Sequence, residues 1–439
     1  MDLDPRIPLI IFGDGPRLHS GLARIARDLA VRLYAESEEL GIRVLQVGID
    51  TGVGWHWQPW DFYGFQQSSH GFGRDAMERV VEELEREHLH KPIVLMITDP
   101  GRCFDLTRDS DIAEIQLKDQ VSFWGYFPLD SENIHGAIGG PAAEAVLTCE
   151  RVLGYGKYGA TVLKKTLEQG ISTHPHAPHP GTPAFQARVS FLPHGLEPGV
   201  WIPTAIEHAD PGFARWVEAG TPRPGAIKIG CVATNQPRKD LGLFFATLRE
   251  IQQSGIPVEA WLHTDFLTKA WDVGQLAYDM GIQRDRICIS TGDLTDQQLA
   301  ARYTWADVTI APGLGEGFGY PIVESLSCGT PVVHGRFAGG VELVPNPAWL
   351  VEPVAWRLES CYALLRPVYR AQDMAARTVD VGTQKQRQRT HLESYCSGSV
   401  SHLSWAQLWP RWRSWITQGL TLHREAQAAK DRRQGVILL

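Results

Sequence analysis

Two kinds of hydrophobic pattern alternate along the N-terminal part of the chain. Continuous apolar runs are typical of buried strands, whereas apolar residues three or four positions apart are typical of amphipathic helices. Residues 7–12 (IPLIIF) form such a run, and the segment from Leu22 to Leu33 has helical spacing. The apolar runs predict strands at 7–12, 43–49, 92–98, 121–127, 143–149 and 188–193. Strands separated by helices need crossover connections, so we expect a mostly parallel sheet with helices on both faces.

The same pattern restarts at residue 226, after a stretch at 201–225 that contains several prolines and little periodicity. Such a stretch is typical of a linker. The second series predicts strands at 227–232, 258–264, 287–290, 308–312 and 331–335, with helices between them. We therefore expect an N-terminal α/β domain at 1–200, a linker at 201–225 and a second doubly wound α/β domain at 226–398.

The C-terminal segment differs from both domains. Trp405, Leu408, Trp412 and Ile416 lie at helical spacing, which predicts one helix within 399–420 that has a broad apolar face. The residues after it, 421–439, are predicted to be a loosely held tail.

Composition narrows the class of protein. The chain has 439 residues and a formal net charge of −8, and its 43% hydrophobic content excludes wholesale disorder. It contains no apolar run long enough for a transmembrane helix, and its acidic start lacks the features of a signal peptide. Its seven cysteines are widely spaced, which favours buried thiols in a reducing cytoplasm. The negative charge disfavours a nucleic-acid partner without excluding one.

The densest chemical signal is the segment APGLGEGFGYPIVESLSCGTPVV at 311–333. Here a predicted strand leads through a glycine-rich loop into a helix that begins near Pro321. Backbone N–H groups of such a loop can approach a ligand closely, and the helix N-terminus favours an anion such as a phosphate. Glu316 lies in the loop and Glu324 about one turn into the helix, and both add acceptors for sugar or ribose hydroxyl groups.

This segment resembles the Glu-(seven residues)-Glu signature of retaining glycosyltransferases with the GT-B fold, in the large family of glycogen synthase-like and mannosyltransferase members. The resemblance implies that Glu316 contacts the transferred sugar and that Glu324 holds the ribose of the nucleotide. It also places the backbone of Gly317, Phe318 and Gly319 against the sugar and the diphosphate. The segments GTPVV at 329–333 and GGVEL at 339–343 match the usual continuation of the family.

A second segment, GCVATNQPRKDLGLFF at 230–245, agrees with this resemblance. The family places an Arg-Lys pair on the donor diphosphate at this point, and Arg238 and Lys239 occupy those positions. Two cations beside a helix N-terminus can neutralise a leaving diphosphate without a metal ion. One departure is that Ala233 and Thr234 stand where the family often has a further arginine.

The first domain resembles the family more loosely. Gly21 matches the usual glycine of the loop that faces the donor, and His194 matches a position that is usually structural. Thr98 and Asp99 stand where many members carry a histidine near the reacting sugar. Asp99 and Asp130 both follow predicted strands, where α/β sites gather. Each of these acids either lies in the cleft as a catalytic residue or caps a helix or turn.

Two further clusters invite functional readings. The segment HPHAPHP at 174–180 has three histidines but no carboxylate nearby that would complete a common metal-ligand set, so we expect a stiff loop without a metal. Trp55, Trp57 and Trp60 lie in an aromatic segment predicted to be a loop, where they could stack on a sugar or a base.

The resemblance implies two Rossmann-like domains facing across a cleft, with the C-terminal helix crossing back to the N-terminal, acceptor-binding domain. It implies retaining, metal-independent transfer of a sugar from a UDP- or GDP-sugar to a hydroxyl of a glycan, a small molecule or a modified nucleic-acid base. No cofactor is expected beyond this nucleotide-sugar co-substrate. Three alternatives stay open: an epimerase or phosphorylase on the same fold, an unrelated dinucleotide enzyme, and a sugar-nucleotide-binding protein without activity.

Overall fold

The computed structural model describes residues 3–50, 52–67, 70–108, 117–171, 188–197, 199–220, 224–360 and 362–437. The chain divides into two compact units. The first comprises Met1–Leu192 together with Trp409–Leu439, and the second comprises Pro193–Leu408. The three histidines of segment 174–180 lie outside the described residues.

The first unit is built on one eight-stranded sheet. Its strands are β1 (Ile7–Asp14), β2 (Ile42–Ile49), β3 (Gly54–Trp57), β4 (Asp61–Phe65), β5 (Ile93–Ile97), β6 (Ser122–Phe127), β7 (Arg151–Gly154) and β8 (Val189–Phe191). Their order in the sheet is β3-β4-β2-β1-β5-β6-β7-β8, and every pair is parallel except β3 with β4. Because the chain leaves β1 towards β2 on one side and β5 lies on the other, the switch point of the sheet falls between β1 and β5.

The helices of the first unit cover this sheet. They are α1 (Gly21–Ala35), α2 (Ser37–Leu40), α3 (Arg74–Glu87), α4 (Phe104–Thr107), α5 (Leu117–Gln120), α6 (Gly140–Thr148) and α7 (Lys157–Ile171). Helix α1 begins where it does because the Ser20 hydroxyl caps it by accepting a hydrogen bond from the N–H of Ala23. The whole of β1 is buried, as expected for the centre of a sheet that is covered on both faces.

The second unit repeats this architecture. Its six-stranded parallel sheet comprises β9 (Ile227–Val232), β10 (Val258–His263), β11 (Ile287–Ser290), β12 (Val308–Ala311), β13 (Val332–Gly335) and β14 (Leu350–Val351). The strand order β11-β10-β9-β12-β13-β14 places the switch point between β9 and β12. A separate antiparallel hairpin consists of β15 (Ala355–Glu359) and β16 (Leu364–Val368).

The helices of the second unit are α8 (Pro211–Ala219), α9 (Leu241–Gln253), α10 (Val273–Asp279), α11 (Asp296–Trp305), α12 (Tyr320–Ser327), α13 (Ala371–Arg387) and α14 (Arg389–Val400). Short 3-10 turns at Pro237–Lys239 and Gly339–Glu342 follow strands β9 and β13. Both turns therefore lie at the carboxyl edge of the sheet, where sites of α/β proteins gather.

The last helix, α15 (Trp405–Ile437), joins the C-terminus to the first unit. The Trp412 ring packs edge-to-face on Tyr126, and Arg413 pairs with Glu36 at 2.6 Å. The indole of Trp415 meets Trp124 in the same edge-to-face manner. The expected return of the C-terminal helix to the N-terminal domain is therefore confirmed.

Three details of the sequence prediction were wrong. Of residues 143–149, predicted as a strand, 143–148 belong to helix α6 and Cys149 is its C-terminal cap; the strand that follows is β7. The predicted linker 201–225 contains helix α8, which Asp210 caps at its start. The C-terminal helix begins at Trp405 and continues through the predicted tail as far as Ile437, because its apolar positions keep helical spacing beyond Ile416 at Leu420 and His423, both buried.

Candidate active site

The loop that follows β12 carries the first glutamate of the motif into the interior of the second unit. Glu316 is buried, and the helix α12 begins four residues later, after Gly319. Gly319 caps this helix with φ of 109°, a left-handed conformation that glycine adopts without strain. A Cβ atom at Gly313 would lie 2.8 Å from Oε1 of Glu316, so the loop needs glycine there to make room for the carboxylate.

Lys239 forms a two-oxygen ion pair with Glu316. The Lys239 ammonium donates hydrogen bonds of 2.5 Å and 2.6 Å to Oε1 and Oε2 of Glu316. A guanidinium nitrogen of Arg238 lies 4.0 Å from Oε2 of the same carboxylate. The Arg-Lys pair and the first glutamate, far apart in sequence, therefore meet at the carboxyl ends of β9 and β12, at the switch point of the sheet.

The charges around Glu316 keep it ionised. Burial alone would raise the pKa of Glu316, but the positive charges of Lys239 and Arg238 and the hydrogen bonds from Lys239 hold that pKa below its usual value. The pair is therefore an ammonium–carboxylate pair at neutral pH. A second cation, Arg238, is half-exposed beside it.

Backbone hydrogen bonds hold the three loops of the site in register. The N–H of Leu314 donates to the carbonyl of Arg238 at 2.7 Å, and the N–H of Gly339 donates to the carbonyl of Glu316 at 2.9 Å. A Cβ atom at Gly339 would lie 2.5 Å from the carbonyl oxygen of Gly317, so this contact requires glycine. The loops after β9, β12 and β13 are thus tied together at their backbones.

The second glutamate of the motif, Glu324, lies in helix α12 and is also buried. Tyr303 of helix α11 donates a hydrogen bond of 3.1 Å from its hydroxyl to Oε2 of Glu324. Burial and the negative charge of Glu324 raise the pKa of Tyr303, so the phenol keeps its proton and remains a donor.

Phe318 is part of the motif, and its buried side chain packs inside the second unit. Its ring centroid lies 4.1 Å from that of His194, and Tyr320 packs against the same histidine at 5.2 Å. The structural role expected for His194 agrees with this packing. That the backbone of Gly317, Phe318 and Gly319 contacts a ligand stays a prediction.

His334 on β13 is a site residue that sequence reasoning missed. It is fully buried, and its Nδ1 lies 2.8 Å from the carbonyl of Ala311, which fixes the tautomer with the proton on Nδ1. Burial lowers the pKa of His334, so the ring is neutral, although Glu316 works in the opposite direction. No sequence pattern marked this residue, because it reaches the site only through the pairing of β12 with β13.

Asn235 was also missed, and it organises the segment before the Arg-Lys pair. Its side-chain amide donates to the carbonyls of Phe266 and Trp271 at 2.9 Å and 2.8 Å, and its carbonyl oxygen accepts from the N–H of Trp271. These bonds connect the loops after β9 and β10. The position lies directly after Ala233 and Thr234, where the family often has an arginine, and here the chain uses an amide to shape the loop.

The first-domain candidates lie in segments that follow strands β1, β5 and β6 of the first unit. Gly21 is the first residue of α1, and its neighbour Ser20 donates a hydrogen bond of 2.5 Å to the buried carboxylate of Asp14. Asp99 is exposed and accepts a bond of 2.8 Å from the N–H of Gly101, which makes it the cap of a 3-10 turn. Asp130 lies half-buried in the segment after β6.

The tryptophan segment is a strand rather than a loop. Residues 54–57 form β3, paired with β4. Trp60 is buried, and its indole N–H donates to the side-chain oxygen of Gln46 at 3.1 Å, so its side chain belongs to the core. Trp55 remains partly exposed and donates to Glu83. The side chain of Trp57 lies outside the described residues.

Two features are absent from the described part of the chain. None of its helices is long and apolar enough to cross a membrane. No group of three or more His, Cys, Asp or Glu side chains among those described is arranged to hold a metal ion.

Comparison with known families identifies the domain that carries this site. The family described as glycosyl transferases group 1 matches residues 226–397, which include Arg238, Lys239, Glu316 and Glu324. These residues are similar to group 1 glycosyltransferase domains. Two curated relatives are similar to this chain over 132 and 162 residues. An MMP alpha-(1->4)-mannosyltransferase of Mycolicibacterium hassiacum is 31% identical over 132 residues, which are 29% of this chain and 30% of that protein.

A D-inositol 3-phosphate glycosyltransferase of Pseudarthrobacter chlorophenolicus is 25% identical over 162 residues, 35% of each chain. The chain thus spans about a third of the length of the curated relatives it matches. Residues 226–397 are the part of the chain that the family model matches.

Solved structures similar to the whole chain establish the GT-B fold. A structure of trehalose-6-phosphate from E. coli bound with UDP-2-fluoro glucose has a TM-score of 0.65 and 12% identity, covering 94% of this chain and 99% of that one. Anabaena Alr3699/HepE in complex with UDP and glucose gives 0.60 and 14%, covering 95% and 99%. A trehalose-6-phosphate synthase studied for glycosyltransfer with retention gives 0.64 and 12%, covering 93% and 99%.

Proposed function

We propose that this protein transfers a sugar from a nucleotide-diphosphate sugar, a UDP- or GDP-sugar, to an acceptor hydroxyl with retention of the anomeric configuration. The observation that carries the proposal is the ion pair of Lys239 with Glu316, at the switch point of the group 1 domain and beside Arg238. The similarity to named glycosyltransferases and to UDP-bound GT-B structures supports it.

Arg238 and Lys239 bind the donor diphosphate. Charge accumulates on the diphosphate as its bond to the sugar breaks, and preorganised cations in a partly buried site stabilise that charge. The N-terminus of α12 adds backbone N–H groups and the positive end of a helix dipole. Lys239 has three N–H donors, so it can bind a phosphate oxygen while it retains Glu316. These groups neutralise the leaving diphosphate, so the reaction needs no divalent metal.

Glu316 orients the transferred sugar, and Glu324 binds the ribose. A carboxylate that Lys239 keeps ionised accepts hydrogen bonds from sugar hydroxyls. Glu324, fixed by Tyr303, offers its remaining lone pairs to the ribose hydroxyls. The backbone of Gly317 to Gly319 lies against the sugar and the diphosphate.

The transfer step balances without a dedicated base. The bond from the anomeric carbon to the diphosphate oxygen breaks, and the acceptor oxygen forms its bond to the same carbon on the same face. The acceptor proton passes to the departing phosphate oxygen, which lies on that face. The first unit, with Gly21, Asp99 and Asp130 in the segments that follow β1, β5 and β6, is the acceptor domain in this proposal.

Lys239→Ala and Glu316→Gln test this function. A panel of UDP- and GDP-sugars is first scored for thermal stabilisation of the protein. Nucleotide release from the best donor is then followed with and without acceptor. We expect each variant to lose roughly a hundredfold or more in kcat/KM, since each removes a charged group that stabilises or positions the reacting atoms. Lys228→Ala, at the opposite end of β9, is the matched control and keeps full activity. Full activity in both site variants would refute the assignment.

The same assay separates the alternatives. An epimerase converts the donor sugar without net release of nucleotide, and a phosphorylase requires inorganic phosphate. A protein that only binds the nucleotide sugar shows stabilisation without any turnover.

A further inference from the structure

Lys385 on helix α13 is a buried cation that the proposed mechanism does not use. Its side chain is fully buried, and its ammonium donates hydrogen bonds of 2.9 Å to the carbonyl of Ala306 and of 2.7 Å to the hydroxyl oxygen of Thr330. Ala306 is the cap residue directly after helix α11, where the last carbonyls of a helix lack partners within it. A cation is favourable at this negative end of the helix dipole. Lys385 therefore binds the C-terminal end of the helix that carries Tyr303.

The ammonium of Lys385 bonds to neutral oxygens, although two carboxylates also act on it. Burial lowers the pKa of Lys385 to about 8, and the positive charge of Arg389 acts in the same direction. Glu393 and Asp307 oppose that lowering, but both pair with Arg389, at 3.5 Å and 3.4 Å. Burying an ammonium costs free energy that an apolar side chain of similar length would avoid. What the ammonium adds at this place is a pair of directed hydrogen bonds at the end of α11.

Thr330 links Lys385 to the two helices that carry Tyr303 and Glu324. Its hydroxyl, which accepts from Lys385, donates a hydrogen bond of 2.7 Å to the carbonyl of Tyr303. Its N–H donates to the carbonyl of Ser325 at 2.9 Å, and the Ser325 hydroxyl donates to the carbonyl of Thr330 at 3.0 Å. Ser325 directly follows Glu324 on α12. Thr330 thus joins the main chain of Tyr303 to the main chain next to Glu324.

Lys385 decides which acceptor the Thr330 hydroxyl uses. The carbonyl of Ala306 lies 3.5 Å from this hydroxyl and is already bound by Lys385. A hydroxyl has one proton to donate, so the proton of Thr330 is directed at the carbonyl of Tyr303. Without the ammonium, the carbonyl of Ala306 needs a donor and the Thr330 hydroxyl can turn to it. The link from Thr330 to Tyr303 is then lost.

The side chains of Tyr303 and Glu324 meet at a second place, through the hydrogen bond of 3.1 Å from the phenol to the carboxylate. Helices α11 and α12 are therefore connected twice, once at Thr330 and once at this pair. Lys385, Thr330 and Ser325 are all fully buried, so water does not compete for their hydrogen bonds. A change at Thr330 shifts the Tyr303 hydroxyl relative to the carboxylate of Glu324.

We propose that Lys385 is a positioning residue for the nucleotide: through Thr330 it fixes Tyr303 relative to Glu324, and so the direction in which Glu324 faces the ribose. This inference rests on the proposed function, in which Glu324 binds the ribose. It adds to that function a residue that touches neither donor nor acceptor. The effect of Lys385 on nucleotide binding passes through the Tyr303 hydroxyl.

A double-mutant cycle on nucleotide binding to the full-length protein tests this path. Calorimetry measures the Kd of UDP and of GDP for the wild type, Lys385→Met, Tyr303→Phe and the double variant, and the nucleotide that binds more tightly is used. We expect Lys385→Met to raise Kd roughly threefold to tenfold, as for a loosened hydrogen bond to a charged group. In the Tyr303→Phe background the same substitution changes Kd by less than about 1.5-fold, because the bond through which it acts is already absent.

Two substitutions at Thr330 keep the test informative if Lys385→Met folds poorly. Thr330→Ser retains the hydroxyl and leaves Kd close to the wild-type value. Thr330→Val has nearly the same shape without the hydroxyl and raises Kd as Lys385→Met does. Val381→Ala is the matched control, since Val381 is buried on the same helix α13 and its truncation lowers the melting temperature without changing Kd.

Three results would overturn the positioning role. The first is that the effects of Lys385→Met and Tyr303→Phe on Kd multiply in the double variant. The second is that Thr330→Ser and Thr330→Val raise Kd equally. The third is that Val381→Ala raises Kd as much as Lys385→Met, which would mean that any loss of packing in α13 weakens nucleotide binding.

Failure of the proposed function gives a different result. Nucleotide release from a donor sugar reports on Lys239 and Glu316, whereas the cycle reports on binding of the nucleotide alone. Absence of turnover together with coupled effects on Kd refutes the transfer reaction and keeps the positioning role. Turnover together with independent effects on Kd refutes the positioning role alone. A wild-type protein that binds neither UDP nor GDP refutes both.

Discussion

The Tyr303 hydroxyl lies 3.1 Å from Oε2 of Glu324, and both residues are buried in the second unit. Tyr303 is on helix α11, so a residue outside the motif fixes Glu324, the second glutamate of the motif. This hydrogen bond fixes one oxygen of the carboxylate, so the orientation of Glu324 does not depend on helix α12 alone.

Tyr303→Phe tests this arrangement by removing one oxygen. We expect KM for the donor to rise about threefold to tenfold with a smaller change in kcat, since a hydrogen bond to a charged group contributes about 1.5–3 kcal/mol, part of which acts through orientation. Steady-state kinetics with varied donor measures the split. Tyr278→Phe is the control, and a wild-type KM in Tyr303→Phe would show that Glu324 needs no such support.

Gly313→Ala tests the space that the loop leaves for Glu316. The added methyl group would lie 2.8 Å from Oε1 of Glu316, so the carboxylate has to move away from Lys239. We expect donor turnover to fall at least about tenfold while the melting temperature changes by only a few degrees, because the displaced atom is the end of a side chain.

The control for this glycine is Gly398→Ala in helix α14, where a Cβ atom meets nothing within 4 Å. Alanine there should stabilise the helix by about 0.5–1 kcal/mol and leave turnover unchanged. Wild-type turnover in Gly313→Ala would mean that the pairing of Lys239 with Glu316 is dispensable.

His423 gives the first unit a dependence on pH. Its Nε2 lies 2.9 Å from the carbonyl of Lys91 and its Nδ1 lies 3.1 Å from the Ser122 hydroxyl. Burial lowers the pKa of His423 to about 4, from 6.5. The unfolded chain therefore binds the proton first, and stability is lost as the pH falls from 6.5 towards 4, by at most about 3 kcal/mol.

His423→Gln should be less stable than the wild type at pH 7.5 and should lose less stability between pH 7 and pH 5. Thermal unfolding at several pH values measures both differences. His135→Gln, at an exposed histidine of the same unit, should follow the wild-type curve. Parallel curves for His423→Gln and the wild type would assign the acid sensitivity to other groups.

Cysteine reactivity provides a test of the packing. Cys103, Cys149, Cys231, Cys328 and Cys396 are buried, and burial raises the pKa of each thiol. N-ethylmaleimide at pH 8 should leave these five unlabelled in the native protein and label them after denaturation, since the thiolate is the reactive form. Peptide mass mapping reads out each site, and Ser401→Cys, at an exposed position, is the positive control.

The sequence predicted the parts of the site that local chemistry marks. The local sequence shows the glycines and charges of the loops and the helix start that contain Arg238, Lys239, Glu316 and Glu324. Tyr303 and His334 were not predicted, because nothing in their neighbourhood along the chain distinguishes them from core residues. They join the site only when α11 packs beside α12 and β13 pairs with β12.

The fold was predicted well where a strand is continuously apolar and poorly elsewhere. Residues 143–149 look like a strand because Ala145, Val146 and Leu147 are adjacent, yet Pro141 at the first turn and the burial of one side make them helical. The true strand starts at Arg151, a charged residue that no apolar pattern would place in a sheet. Its guanidinium lies over the rings of Trp415 and Trp124 and donates to the carbonyl of Trp415.

The place of helix α15 has a consequence for the order of assembly. Arg151 and Tyr126 find their partners on residues 412–415, which a ribosome adds more than two hundred and fifty residues later. Until synthesis is almost complete, the guanidinium of Arg151 and the ring of Tyr126 therefore lack these contacts. A chain truncated shortly before Trp409 would contain every strand of the first unit but would lack the part of helix α15 that packs on them.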